Sequence, residues 1–173
     1  NISNSLKQEL PQISTLNDPD SLAFYGRDWV KHYNPRPSTI VFPTSTEEVA
    51  QVVKWARKNK ICLVPSGGRT GLSGGAIALN GEVVVSLEKM NRVLNFNTID
   101  RTVRTQCGIV TEALQKYVWD QGYYFPVDFA SRGSSQIGGN IATNAGGVKV
   151  IRYGSMRDWV SSLQVVTGTG EIL

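Results

Sequence analysis

Apolar residues occur along the chain in two patterns, a spacing of three and four positions that is typical of helices and short runs that are typical of strands. The helical spacing is clearest between Val49 and Ala56, where apolar residues fall three and four positions apart. Just before them, the residues from Ser45 to Glu48 have the sequence of a capping box, in which the serine caps a backbone N–H and the glutamate reaches back. The pattern therefore predicts a helix over about residues 46–59.

Similar local patterns predict the other helices and strands of the chain. A second helix is predicted over Thr111–Gln121 with Gly122 as its stop, a short helix before Pro11, and an irregular aromatic arm at Phe24–Trp29. Short apolar runs bounded by turn residues predict strands at Ser38–Phe42, Ile61–Val64, Glu82–Leu87, Val93–Asn97, Thr102–Gln106 and Trp159–Thr167, then a turn at 168–170 and a return strand from Glu171. The early order of strand, helix and strand predicts a β-α-β unit whose second strand is buried and leads into a glycine-rich loop.

That loop, Pro65–Gly75, has the sequence P-S-G-G-R-T-G-L-S-G-G, and five of its eleven residues are glycine. Without a Cβ atom, successive backbone N–H groups can turn toward one point, and such a concavity binds anions, most often phosphate. The loop carries one cation, Arg69, and no acidic residue. We expect a phosphate group here, with a flexible linker or an ordinary turn as the alternative. The glycine spacing fits neither a P-loop nor a dinucleotide fingerprint, which disfavours an NAD-binding unit.

A second glycine-rich stretch extends from Pro126 to Gly154. Two glycine pairs, Gly138-Gly139 and Gly146-Gly147, flank residues with small or amide side chains, among them Asn140 and Thr143. This composition suits a ligand with ribose, pyrophosphate and a polar ring, but it suits a tight turn between core elements equally well. Two such stretches in one chain favour a large phosphorylated cofactor.

Composition narrows the classes further. A hydrophobic content of 40%, a charged content of 18% and a net charge of +4 without a basic run indicate a globular protein that does not bind nucleic acid. Cys62 and Cys107 lie in apolar surroundings, so we expect buried free thiols, and no spacing indicates a metal site. No apolar run approaches the ~18 residues of a membrane helix. We expect a cytosolic protein, with peripheral membrane contact as the alternative, and a chain that continues beyond Leu173.

The two glycine-rich stretches together resemble the FAD-binding, PCMH-type domain of the vanillyl-alcohol-oxidase superfamily. The resemblance covers Pro37–Leu173, after an N-terminal arm of residues 1–36, and rests on P-x-G-G-x-T-G, P-x-D, I-G-G-N-x-A-T-N-A-G-G and R-Y-G. Within the superfamily the chain is most similar to bacterial FAD-linked D-2-hydroxy-acid dehydrogenases of the D-2-hydroxyglutarate, D-lactate or glycolate type. The resemblance implies an α+β fold of two lobes, an N-terminal β-α-β lobe and a second mixed α/β lobe, with FAD extended between them.

The resemblance also implies which residues bind the cofactor. The first loop would hold the pyrophosphate, and residues 138–140 would face it from the other lobe, with Thr143 near the phosphates or the ribityl chain. The other implied residues of the second stretch would line the flavin and adenine ends or close the pocket, and Ile172 of the C-terminal strand would lie near the adenine. The implied residues are Ser66, Gly67, Gly68, Arg69, Thr70, Gly71, Leu72, Pro126, Asp128, Ser131, Ser134, Ile137, Gly138, Gly139, Asn140, Ala142, Thr143, Tyr153, Gly154 and Ile172. Some members of the superfamily attach the flavin covalently through a histidine at the position of Arg69, so we predict non-covalent FAD.

The implied activity is the oxidation of a D-2-hydroxy acid to the 2-oxo acid, with FAD taking the hydride equivalent and a separate electron acceptor reoxidising it. The substrate domain of this family follows the FAD domain, so we expect no catalytic or metal-binding residue in this chain and no activity of the fragment alone. Two alternatives remain: an FAD-dependent enolpyruvyl-nucleotide reductase with the same fold, and a nucleotide-binding module without catalysis.

Overall fold

A computed structural model describes residues 2–173 and divides them into two units, which are treated separately below. One unit comprises the described residues up to Lys89 together with Gln164–Leu173, and the other comprises Met90–Leu163. Among residues 2–173, no helix has both the length and the apolar character needed to cross a lipid bilayer.

A four-stranded mixed sheet forms the centre of the first unit. Its strands are β1 (Ser14–Leu16), β2 (Thr39–Phe42), β3 (Leu63–Ser66) and β4 (Val83–Ser86), in the order β1-β2-β4-β3. β2, β4 and β3 run parallel, and β1 pairs antiparallel with β2. The predicted β-α-β unit is thus confirmed, with β4 inserted between its two strands.

Helices cover both faces of this sheet. On one face, Val41, Val83 and Val85 pack with Val52 and Trp55 of the helix α3 (Thr46–Asn59), and the helix α1 (Ile2–Glu9) contributes Leu6. On the other face, Ile40, Phe42 and Val84 pack with Ala78 and the helix α2 (Pro19–Tyr25). Burial of these side chains is the main stabilising contribution to the unit.

The helix α3 has the bounds that its apolar period predicts. Ser45 accepts a hydrogen bond from the Glu48 N–H at 3.2 Å, as a capping serine should. The Glu48 carboxylate reaches one residue further back than expected, and accepts from the Thr44 N–H at 2.7 Å. The helix ends where Lys60 adopts a left-handed conformation.

The strand β3 differs from its prediction in position and burial. It begins at Leu63 and ends at Ser66, and most of it is only partly buried because β4 takes the central place in the sheet. Pro65 is tolerated since an edge strand leaves one side without hydrogen-bond partners. Cys62 is exposed, so the prediction of a buried thiol was wrong there, while Cys107 is partly buried.

The N-terminal arm is more regular than predicted. Phe24 and Tyr25 end the helix α2, whose start is marked by Asp18, which accepts from the Ser21 N–H at 2.9 Å, and by Pro19. The interpretation as an irregular stretch was therefore wrong for these two aromatic residues. The capping aspartate and the proline are visible in the sequence as signals of a helix start. The helix was missed because none of its residues is fully buried, so it shows no clear apolar period.

The second unit is built on a hairpin and several short helices. β5 (Val93–Asn97) and β6 (Thr102–Thr105) pair antiparallel, and the helix α4 (Thr111–Asp120) packs Leu114 and Val118 into the core. Two short helices that the sequence analysis missed follow, α5 (Ile137–Ala142) and α6 (Val150–Tyr153). Glycine pairs in and beside α5 and α6 conceal their helical character, because glycine is a poor helix former.

The strand predicted at Trp159–Thr167 does not form. Trp159 ends a 3₁₀ turn that begins at Met156, and the residues after it are mostly exposed and irregular. Only the end of the segment pairs, through a bridge between Val166 and Ile172 in the first unit. The predicted turn at 168–170 is confirmed there, and its Gly170 packs against Lys54 and Ala50 of α3.

Candidate functional site

The first glycine-rich loop lies at the carboxyl end of the parallel strands. Ser66 ends β3, and it is paired in register with Ser86, which ends β4. In open α/β sheets, ligands bind in the crevice outside the carboxyl ends of the parallel strands. The position of the loop is therefore that of a binding site.

The second feature of this loop is a series of backbone N–H groups that are not used by the described part of the chain. None of the N–H groups of Gly67–Leu72 donates a hydrogen bond to another residue of the described range 2–173. Some of the loop carbonyls do have partners: the Gly71 oxygen accepts from the Trp29 N–H at 3.1 Å and the Gly74 oxygen from the Ile77 N–H at 3.3 Å. A loop whose donors are unused is suited to an anion.

Buried polar atoms without partners border the same loop. The hydroxyl oxygens of Ser66 and Ser86 are both buried and have no hydrogen-bond partner among the described residues. Asp28, which is 7% exposed, accepts the Val30 N–H with Oδ1, while its Oδ2 has no partner. A Cβ atom at Gly71 would lie 3.6 Å from that Oδ2.

Ser66 was predicted as a site residue, whereas Ser86 and Asp28 were missed. For Ser86 a signal exists, because a serine that ends a run of three valines stands at the carboxyl end of a buried strand. For Asp28 the sequence contains no such signal, since its burial depends on the glycine-rich loop that packs against it.

The Arg69 side chain contacts the aromatic residues at the end of the helix α2. Its backbone is left-handed, with φ of +58°, and its Nη1 donates to the Gly67 oxygen at 3.3 Å. The guanidinium carbon lies 4.4 Å from the ring centre of Phe24 and 4.8 Å from that of Tyr25. Burial lowers the pKa of the Arg69 guanidinium from its usual value.

In the second unit, Asp128 is held by two cations. Its Oδ1 lies 2.9 Å from Arg132 Nη1 and its Oδ2 lies 3.0 Å from Lys149 Nζ. Hydrogen bonds from Arg132 and then from Lys149 lower the pKa of the Asp128 carboxyl. Asp128 and Arg132 form part of the wall of an open depression of about 550 Å³. The ion pairs with Arg132 and Lys149 therefore account for the position of Asp128 without a ligand.

We expect the Asp128→Asn variant to lose about 0.5–1 kcal/mol of stability at pH 7, as for a partly exposed ion pair. Because the folded-state pKa is lowered, this stability is complete above the ordinary value of 3.8 and is lost as the pH falls through the lowered pKa. Urea unfolding of both proteins between pH 7 and pH 3 checks this, and the two curves should converge in acid. The Asp120→Asn variant is the matched control, since Asp120 forms no ion pair with another described residue. A difference that persists unchanged at pH 3 would refute the electrostatic explanation.

Several predicted residues of the second stretch are parts of the core. Asn140 is buried and donates with Nδ2 to Thr111 Oγ1 at 2.6 Å, and that hydroxyl also contacts Ser135. A Cβ atom at Gly138 would lie 2.7 Å from the Cβ of Cys107, so this glycine permits close packing of α5. Pro126 and Ile137 are buried as well.

Other predicted residues of this stretch are accessible. Gly139 is exposed, a Cβ atom there would meet nothing within 4 Å, and its N–H has no acceptor among the described residues. Thr143 is exposed and donates its hydroxyl hydrogen to the Gly139 oxygen at 2.9 Å, and Ala142 and Ser134 are exposed too. Ser131 accepts the N–H groups of the following turn through its backbone oxygen.

The last three predicted residues lie in different surroundings. Tyr153 ends α6, with its ring edge against Tyr124 at 6.1 Å between ring centres. Gly154 has φ of +80° and packs against the Asp158 carboxylate, which explains the glycine without a ligand. Ile172, 41% exposed, belongs to the C-terminal hairpin of the first unit. Within residues 2–173, no group of three or more His, Cys, Asp or Glu side chains is arranged to hold a metal ion.

Comparison with known proteins decides the family. A family model described as "FAD binding domain" matches residues 37–173. The chain belongs to this FAD-binding domain family. FAD is therefore the cofactor of the chain, and the predicted α+β FAD-binding fold of two lobes is confirmed. A solved structure of alkyldihydroxyacetonephosphate synthase superimposes with a TM-score of 0.86 at 27% identity, over 99% of this chain and 33% of that one.

Among curated relatives of this FAD-binding domain, a D-2-hydroxyglutarate dehydrogenase of Stutzerimonas stutzeri (strain A1501) is 59% identical over 168 residues. That match covers 97% of this chain and 36% of the relative. A D-lactate dehydrogenase of Anaerostipes hadrus is 43% identical over 154 residues, which are 89% of this chain and 31% of the relative. The chain thus spans about a third of the length of these relatives.

The residues of the first unit fit the cofactor that the family binds. FAD contains a pyrophosphate, which offers anionic oxygens to N–H and O–H donors. The unused N–H groups of Gly67–Leu72 and the partnerless Ser66 hydroxyl are donors of this kind at one sheet edge. The chemistry of this loop therefore agrees with the cofactor of the family.

Proposed function

We propose that the full-length protein containing this chain oxidises a D-2-hydroxy acid to the corresponding 2-oxo acid, with FAD bound non-covalently. When bound, FAD supplies the acceptor for the hydride equivalent that leaves the α-carbon of the substrate. The substrate class is supported by the relatives, whose names are those of D-2-hydroxyglutarate and D-lactate dehydrogenases. The electron acceptor and the cytosolic location stay predictions.

The observation that carries the cofactor assignment is the row of unused N–H groups in Gly67–Leu72. We assign the pyrophosphate to this row, since hydrogen bonds to a charged acceptor are each worth about 1.5–3 kcal/mol. The Ser66 hydroxyl is the further donor next to it. These residues bind and orient the cofactor, and none of them is proposed to transfer a proton.

Arg69 supports non-covalent attachment. A covalent bond to the flavin needs a nucleophilic side chain, and a guanidinium that stays protonated is not nucleophilic. The Arg69 side chain is moreover engaged with Phe24 and Tyr25.

We expect acid precipitation of the purified full-length protein to release its flavin. Yellow colour in the supernatant, with flavin absorption in the visible range, is the predicted result. Flavin that stays with the washed pellet would contradict non-covalent binding. The same experiment on an Arg69→His variant tests whether this position can carry the attachment.

The substrate proposal is tested by adding candidate acids to the oxidised full-length protein without oxygen. Loss of flavin absorbance with D-2-hydroxyglutarate, D-lactate or glycolate identifies the class, and the L-enantiomers serve as matched controls. Bleaching by NADPH, followed by reoxidation with an enolpyruvyl nucleotide, would instead show a reductase of the alternative type. A flavin that no 2-hydroxy acid reduces would contradict the proposal.

A further inference from the structure

Arg69 stands in the loop to which the pyrophosphate is assigned, yet its contacts lead to the helix α2. We propose that Arg69 is a positioning residue and not a phosphate ligand: its packing on Phe24 and Tyr25 holds the loop in the shape that presents its N–H groups. This inference rests on the proposed assignment of the loop to the pyrophosphate. It adds an N-terminal segment to the cofactor-binding unit.

The first support is the geometry of Arg69 itself. Its guanidinium carbon lies within 5 Å of two ring centres, at 4.4 Å for Phe24 and 4.8 Å for Tyr25. Its Nη1 returns to the loop and donates to the Gly67 oxygen at 3.3 Å. A non-glycine residue rarely adopts a left-handed backbone, so the φ of +58° indicates that these contacts hold Arg69 in place.

The aromatic pair is in turn fixed to the sheet. Tyr25 donates its hydroxyl hydrogen to Glu88 Oε1 at 2.9 Å and packs edge-on against Phe42 of β2. Phe24 packs edge-on against Tyr25, with ring centres 5.1 Å apart. Arg69 therefore contacts a surface that is anchored independently of the loop.

A second attachment lies just beyond α2. The Trp29 N–H donates to the Gly71 oxygen at 3.1 Å, and the Gly26 oxygen accepts from the Ala78 N–H at 2.9 Å. Residues 24–29 thus contact the loop at Arg69 and at Gly71, on either side of Thr70. All of them precede residue 37, where the match to the family model begins. These contacts add the segment to the proposed FAD site although it lies outside the residues that the family model matches.

The test is a double-mutant cycle in the full-length protein, with FAD titrated into the apoprotein and followed by flavin fluorescence. We expect Phe24→Leu and Arg69→Lys each to raise the FAD dissociation constant about 3- to 30-fold, as for loss of a cation–π contact. Lysine keeps the charge but not the planar stacking group, and Phe24→Tyr keeps the ring and should restore binding. The double variant should bind no more weakly than the weaker single variant.

The control is Lys89→Ala, which removes a cation from the ring of Phe42 in the same unit but touches no loop residue. It should leave the dissociation constant unchanged, and the Tm of each apoprotein shows whether the variants fold. Phe24→Leu with normal affinity, or effects of Phe24→Leu and Arg69→Lys that multiply, would overturn the positioning role. Normal FAD binding by a Gly71→Val variant would instead remove the pyrophosphate assignment, and this inference with it.

Discussion

A Gly71→Val variant of the full-length protein should lose FAD affinity by about 100-fold or more. We expect the added side chain to obstruct the approach of anionic oxygens to the N–H groups of Gly67–Leu72, which have no partner among the described residues. Displacing one or two charge-assisted hydrogen bonds of about 1.5–3 kcal/mol each accounts for this loss, at about 1.4 kcal/mol for each factor of ten. Equilibrium titration of the apoprotein with FAD measures it.

The structure separates this effect from misfolding. A Cβ atom at Gly71 would meet only Asp28 Oδ2, at an ordinary contact distance of 3.6 Å, and the residue does not need a positive φ. The Tm of the apoprotein should therefore change little. Gly68→Val should act like Gly71→Val, because its N–H belongs to the same row.

The matched control is Gly75→Val, at the end of the same loop. A Cβ atom there would meet nothing within 4 Å, its φ is not positive, and it lies outside the proposed cradle. We expect normal FAD binding. Equal losses for Gly71→Val and Gly75→Val, or no loss for either, would show that the pyrophosphate binds elsewhere.

The parts of the fold that follow a strong local pattern could be predicted from the sequence. The helix α3, the strands β2 and β4 and the hairpin of β5 and β6 have nearly their predicted bounds, because apolar period, capping residues and turns agree there. The strand predicted at Trp159–Thr167 does not form over most of its length, because an apolar run becomes a strand only beside a partner strand. The part that does pair, Val165–Thr167, lies opposite the residues that begin at Glu171. The helix α5 was missed because it contains two glycines, which are poor helix formers, and of these Gly138 is needed for close packing on Cys107.

The sequence predicted the kind of ligand that the candidate site binds, but not which residues contact it. Glycine content identified the loop after β3, but a glycine can be required by a ligand or by a neighbouring atom, and the sequence does not distinguish the two. Gly138 and Gly154 each have a close neighbour, Cys107 and Asp158, whereas Gly139 has none. The partnerless Ser86 hydroxyl and Asp28 carboxylate depend on tertiary burial, which no local pattern encodes.

A Gly147→Ala variant should lose about 3 kcal/mol or more of stability, the largest folding effect that we expect in the second unit. Its φ is +93°, and a Cβ atom would overlap the backbone oxygen of Asp128. That oxygen accepts the Val148 N–H at 2.9 Å, so relieving the overlap would also break this hydrogen bond. Urea unfolding at pH 7 measures the loss.

Gly122→Ala is the matched control for this overlap, because Gly122 has a positive φ of +81° but open space around its Cβ position. This variant should lose only about 1–2 kcal/mol of stability, which is the cost of a left-handed backbone at a residue with a Cβ atom. The excess in Gly147→Ala then measures the close approach of residue 147 to Asp128. Equal losses of stability for the two variants would contradict the close approach of residue 147 to Asp128, and would make Gly147 a candidate for cofactor contact, as the second glycine-rich stretch suggested in the sequence.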